Sequence, residues 1–266
     1  MSDLADRFLG LHVPGEPLLL ANAYDAGTAK VLAHVGFKAL ATTSSGHAGT
    51  LGRRDGRVTR DEAIAHAAAL AAATPLPLNA DLEHGFADDA AGVAETIRLV
   101  AAAGVAGASI EDHDPVTGGI YERQRARERV AAAAEAAHGG PARVVLTARC
   151  ENHLHGVDDL GDTIARLQSY QEAGADVLYA PGLVTAADIG RLVREVDRPV
   201  NVLALPGVPP VAELAALGVA RVSVGGAFSL VALAAVAGAG RDLLETGTYG
   251  YWGAIAGAGD LRRAFD

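Results

Sequence analysis

Short apolar runs alternate with longer amphipathic stretches along almost the whole chain, and this alternation predicts the elements. Leu18 to Ala21 reads as a buried strand ending in Asn22 and Asp25. Ala26 to Val35 reads as a helix stopped by Gly36, a residue that tolerates the backbone needed past a helix end. Ala39 to Thr42 predicts a second strand, followed by a polar, glycine-containing loop from Thr43 to Gly56. A helix from about Thr59 to Ala73 opens on a capping box, Thr59 with Glu62 three residues on. Leu76 to Ala80 predicts a third strand that runs into the acidic pair Asp81 and Glu83. Asp88 or Asp89 caps the next helix, which continues to Ala103 and stops at Gly104.

The cycle then repeats. Strands are expected at Ala108 to Ile110, Val144 to Ala148, Val177 to Ala180, Val200 to Leu203 and Arg221 to Val224. Helices are expected at Glu122 to His138, Asp158 to Ala173, Ala186 to Val196 and Val211 to Leu217, with a further run from near Ala227. Eight strand–helix units with no break in composition argue for an α/β fold, a parallel sheet closed into a (β/α)8 TIM barrel. An open doubly wound sheet is the competing architecture. The reading assigns residues 1–245 to the barrel and 246–266 to a helical tail. That tail holds Tyr249, Tyr251, Trp252 and Phe265, and needs either its own barrel or a neighbouring subunit to cover.

Composition narrows the setting. Half of the 266 residues are hydrophobic, enough for one large domain or two small ones. The net charge of −10 comes without a basic stripe, so nucleic acid is not an expected partner. No run of eighteen apolar residues occurs, so no membrane span is expected. Met1 to Gly10 has no apolar signal core. One cysteine, Cys150, excludes an intrachain disulfide and a cysteine metal cluster. The expected location is the cytoplasm.

The candidate chemistry sits at strand ends. In an extended chain Asp81 and Glu83, two apart, would point the same way, and two close carboxylates need a compensating charge. A hard divalent cation with oxygen ligands would supply it; two solvated loop acids are the plain alternative. The second strand ends in Thr43, Ser44, Ser45 and Gly46, and its loop carries Asp55. The fourth strand ends in Glu111 and the fifth in Arg149. Four acids and one arginine thus fall at the carboxyl ends of the strands, where barrels of this kind carry their sites.

On these residues the chain resembles the isocitrate lyase/phosphoenolpyruvate mutase superfamily from about Asn22 to Ala227. The matching pieces are Asn22 to Gly27, Thr42 to Gly56, Ala80 to Phe86, Ser109 to Asp112, and Ala148 to Gly156. The resemblance implies that Asp81 binds Mg²⁺ (or Mn²⁺) directly, with Glu83, Asp55 and Glu111 holding it directly or through its waters. It implies that Arg149 faces a small 2-oxo carboxylate substrate, and that Thr43 and Ser44, in a loop with Ser45, take its carboxylate. A chelated 2-oxo acid would be cleaved at C3 through an enolate, with the cation as Lewis acid and Arg149 as a second positive charge. The resemblance also implies a homotetramer in which the last helix packs on a neighbouring barrel.

The departures matter equally. Isocitrate-type lyases carry a lysine- and cysteine-containing lid after the fourth strand. Here Asp112 to Gly119 has neither, nor the lysine and asparagine of the mutases. The lyase glutamate after the sixth strand is replaced near Pro181. The chain is therefore nearer the oxaloacetate decarboxylase and phosphonopyruvate hydrolase type. The expected function is a Mg²⁺-dependent carbon–carbon lyase cleaving a C–C (or C–P) bond of a small 2-oxo acid, with oxaloacetate-type decarboxylation first. Glu111 and His113 join Arg149 as the catalytic candidates. The alternative is a low-turnover binder or sensor of 2-oxo acids. A Schiff-base aldolase is disfavoured, because Lys30 and Lys38 lie away from the strand ends.

Several other residues have plainer readings. Cys150 is expected in the core, and His47 and His84, like His113, on rim loops. His153 and His155 are read as loop polar groups, and Gly225–Gly226 as a tight strand-to-helix connection. Asn201 touches substrate or makes a buried hydrogen bond.

Overall fold

The computed structural model describes residues 4–257, 259 and 261–266. Part of the amino-terminal expectation, on residues 1–3, lies outside them, as do residues 258 and 260 of the tail. Eight parallel strands close into a barrel in the order β1 (Leu18–Asn22), β2 (Leu40–Ala41), β3 (Leu78–Asp81), β4 (Gly107–Glu111), β7 (Val145–Arg149), β8 (Val177–Tyr179), β9 (Val200–Leu203) and β10 (Arg221–Ser223). β10 returns to β1 with Leu19 opposite Val222, so the sheet has no open edge. Between β4 and β7, β5 (His113–Asp114) and β6 (Gly119–Ile120) form a separate antiparallel hairpin above β4. The predicted TIM barrel is what the chain forms.

Helices cover the outside. They are α2 (Ala26–Val35), α4 (Arg60–Ala73), α5 (Ala90–Ala102), α6 (Arg123–Gly139), α7 (Leu160–Glu172), α8 (Ala186–Glu195), α9 (Val211–Ala216) and α10 (Ala227–Thr246). Their ends follow local chemistry. Thr59 and Glu62 form the expected capping box, Asp89 rather than Asp88 caps α5, and Gly36 takes φ +111 to end α2. The layer between strands and helices is small and aliphatic, and Cys150 is buried within it as expected. A short amino-terminal helix, α1 (Leu4–Leu9), closes the base of the barrel. Its Ala5 and Phe8 pack with Leu18, Ala39, Val145 and Val177.

Two expectations need correction. The segment 43–56 is not all loop: Thr43 caps a helix, α3 (Ser44–Thr50), by accepting the Gly46 N–H. His47 therefore lies on a helix, its ring stacked on His66 at 3.8 Å. Asp81 and Glu83 do not share one extended strand. β3 ends at Asp81, and Glu83 turns with φ +48. Elsewhere, α10 is long and apolar enough, by length and composition alone, to cross a membrane. Much of it is uncovered, including Leu230, Val231, Val236 and Leu244. Beyond it, α11 (Tyr251–Gly257) exposes Trp252 and Ile255, and a 3-10 turn, Leu261–Phe265, comes back against α2.

Candidate active site

The carboxyl ends of the strands surround a cavity of about 190 Å³. Thr43, Ser44, Ser45, Asp55, Asp81, Arg149 and Asn201, all singled out in the sequence, line it together. Glu83, Glu111 and His113 are not part of the lining. Asp81 is fixed from two sides. The Ser44 N–H donates to its Oδ2 at 3.0 Å, and its own N–H donates to Thr42 Oγ1 at 2.8 Å. The α3 N-terminus thus faces a carboxylate, the favourable sense for a helix dipole. Thr43 and Ser45 hydroxyls lie 3.2 Å apart beside it.

Arg149 organises the acids. Its Nε and Nη2 reach Glu151 Oε1 at 2.9 and 2.8 Å, Nη1 donates to Asp81 Oδ1 at 3.1 Å, and Nη2 lies 3.3 Å from Glu111 Oε2. The Tyr179 ring lies 5.1 Å from its guanidinium carbon. Surrounding carboxylates hold the guanidinium charged despite its burial, its pKa raised well above the ordinary value. The acids feel the opposite balance. Burial first, then the charges of Asp81 and Asp55, push Glu83 up to about 8. Burial likewise raises Glu111 well above the ordinary carboxylate range. Arg149 pulls it down, but Glu151, Asp81 and Glu83 all push it up.

Glu151 received no role from the sequence, although it sits two residues past Arg149 at a strand end. It is 3% exposed, and its N–H donates to Asp112 Oδ1 at 2.7 Å. Asp112 is in turn anchored by the Tyr170 hydroxyl at 2.6 Å and faces Arg166. The polar residues inside the strands were also unassigned: Asn79, Ser109, Arg221 and Ser223 all line the cavity. Their signal was polarity at alternate positions of otherwise apolar strands. Asn201 donates to Ser223 Oγ at 2.9 Å and leaves its Oδ1 without a partner. His113 lies on the β5–β6 hairpin, its ring stacked on His155 at 4.0 Å, and His155 is 3.9 Å from Glu151. Gly225 is held by strand-end chemistry, its N–H donating to Asn22 Oδ1 at 2.9 Å.

Among the described residues no three His, Cys, Asp or Glu side chains gather closely enough to enclose a metal unaided. The donor set nonetheless fits Mg²⁺, which keeps several waters and takes one or two carboxylates. Asp81 has the cavity position for a direct ligand, Asp55 lines the same cavity, and Glu83 is near enough to feel the charge of both.

The model of the phosphoenolpyruvate phosphomutase family matches residues 8–244. The chain belongs to this family. Its superfamily is that of isocitrate lyase and phosphoenolpyruvate mutase, as the resemblance indicated. An uncharacterised protein of Mycobacterium tuberculosis is 36% identical over 242 residues, which span 90% of this chain and 89% of the relative. The 2-methylisocitrate lyase of Salmonella typhimurium is 30% identical over 208 residues, covering 71% of this chain and 68% of that enzyme. Among solved structures, a provisionally assigned lyase/mutase from Burkholderia cenocepacia J2315 superposes with a TM-score of 0.93 at 49% identity. The match covers 98% of this chain and 95% of that one. The barrel of that solved structure is therefore also the fold of this chain.

Proposed function

We propose that this chain is a Mg²⁺-dependent enzyme that cleaves a carbon–carbon (or carbon–phosphorus) bond of a small 2-oxo acid through an enolate. Oxaloacetate-type decarboxylation is the specific reaction. The observation that carries the reading is the mouth itself. Asp81, pinned by the Ser44 N–H and Arg149, shares the cavity with Asp55, and Glu83 lies close enough to both for their charges to raise its pKa. The cavity is smaller than the roughly 300 Å³ at which ordinary ligand pockets begin, which favours a substrate of a few carbons.

Bound Mg²⁺ (or Mn²⁺) supplies Lewis acidity toward the keto oxygen of the substrate. The residues do the rest. Thr43, Ser44 and Ser45 offer hydroxyls to the substrate carboxylate. Arg149 holds a fixed positive charge where the oxyanion grows, while Glu151 and Glu111 hold Arg149. The C3–carboxylate bond breaks, carbon dioxide leaves with no need of a protein acid, and the enolate takes a proton at C3. His113, on the hairpin above β4, or water delivers that proton.

Purified protein with oxaloacetate and Mg²⁺ should form pyruvate, and Asp81→Ala should abolish the metal-dependent rate. An unchanged rate in that variant would remove the metal role. A binder with little turnover is the second reading, favoured by the lid hairpin, which has neither lysine nor cysteine. Titration and turnover on the same keto-acid panel separate them: tight binding without product selects the binder. We further infer a homo-oligomer in which the uncovered apolar face of α10 packs on a neighbouring barrel.

A further inference from the structure

The cavity has two electrically opposite ends. Its rim is acidic, and its cation, Arg149, already faces three carboxylates. Its floor is the reverse. Arg221 extends from β10 across the barrel interior to β7, where Nη2 donates to Thr147 Oγ1 at 3.1 Å. From below, Nη1 donates to His12 Nε2 at 3.2 Å. His12 cannot act as a counter-charge. Its Nδ1 lies 2.9 Å from the Phe8 carbonyl, and burial, followed by Arg221 itself, drives its pKa down to about 3, so the ring stays neutral.

Arg221 is only 2% exposed, and among the described residues no carboxylate pairs with it. Burial lowers its pKa to about 10, which still leaves it charged at neutral pH. Among the described residues its Nε has no partner, and the Asn201 Oδ1 on the neighbouring strand is also unpaired. Both residues line the cavity. A buried cation with no counter-ion is costly, and so is a buried donor left unmatched. Such a group persists where something else supplies the missing partner. The Asn201 amide can contribute: turned over, it accepts from Ser223 and presents Nδ2 to the cavity.

We propose that Arg221 is a specificity-determining residue that takes the distal anionic group of the substrate at the cavity floor, while the 2-oxo acid end sits at the acidic rim. This rests on the 2-oxo acid reading above and sharpens it: the ligand is a dianion with its charges at opposite ends. A 2-oxo acid with only one carboxylate leaves Arg221 unanswered and binds weakly. The floor thus chooses between substrates that the rim treats alike.

The test is isothermal titration of the Mg²⁺-loaded full chain with two probes. One is 3,3-difluorooxaloacetate, a four-carbon dicarboxylate; the other is pyruvate, which lacks the second carboxylate. Wild type should bind the dicarboxylate at least about tenfold more tightly. Arg221→Gln and Arg221→Met should bring the two affinities within about threefold of each other, with the pyruvate affinity nearly unchanged. A ratio that survives both substitutions in folded protein overturns the assignment and makes Arg221 structural. If neither variant folds, the wild-type ratio decides, and equal affinity for the two probes overturns the assignment. If wild type binds neither probe, the 2-oxo acid reading itself fails, and the assignment falls with it.

Discussion

At the scale of single residues, the site gathers acids, and burial raises the pKa of two of them, Glu83 and Glu111. Glu83 has its pKa raised from 4.5 to about 8 by burial and by neighbouring carboxylates. A carboxyl raised on folding stabilises the native state fully below the unfolded pKa, and that contribution is lost as pH rises through the folded value. The metal-free protein should therefore lose thermal stability between about pH 4.5 and about 8. Added Mg²⁺ should raise the melting temperature most at the alkaline end, where Glu83 is ionised. Calorimetric scans across that range, with and without metal, check both; a Mg²⁺ effect independent of pH would contradict the assignment of Glu83 to the cation. Glu151→Gln weakens the clamp that aims Arg149, so kcat should fall about 10- to 100-fold with a smaller change in KM. Steady-state kinetics beside the wild type reads that split.

At the scale of elements, the helix ends were legible because their chemistry is local. Gly36, the Thr59–Glu62 box and the Asp89 cap each act within a few residues. The strand ends were legible for a related reason: the acids and Arg149 interrupt short apolar runs. What escaped depends on partners distant in the chain. Thr43 caps α3, yet Ser44 to Thr50 has few residues that signal a helix, and its Gly46 and Ala48 are buried by other elements. Glu83 meets Asp81 through a left-handed turn that no alternation pattern announces. Glu151 and Arg221 owe their roles to contacts across the barrel. Close approach between elements gives its own prediction. A Cβ on Gly226 would lie 2.4 Å from Ser45 Oγ, so Gly226→Ala must turn the Ser45 hydroxyl aside. We expect weaker ligand binding with little loss of stability in urea unfolding. Unchanged binding would separate Ser45 from the substrate.

At the scale of the whole molecule, the covered and uncovered surfaces differ sharply. The barrel is closed and its inner and outer layers are packed, whereas α10 and α11 leave Leu244 88% exposed and Trp252 62% exposed. Such an apolar stretch beside a finished core is what an intersubunit contact presents in an isolated chain. A chain ending at about residue 245, or one carrying Val236→Glu, should shift to a smaller species in light scattering. An oligomer unaffected by both would argue against packing through this tail. The other end of the chain has a different consequence. Phe8 and Ala5 cork the barrel base, but their seat includes Val145 and Val177, more than a hundred residues downstream. During synthesis that stopper must wait, unseated, while over half of the polypeptide emerges. Removing its ring with Phe8→Ala, at a cost of about 3–5 kcal/mol, should leave a molecule whose last folding step no longer locks.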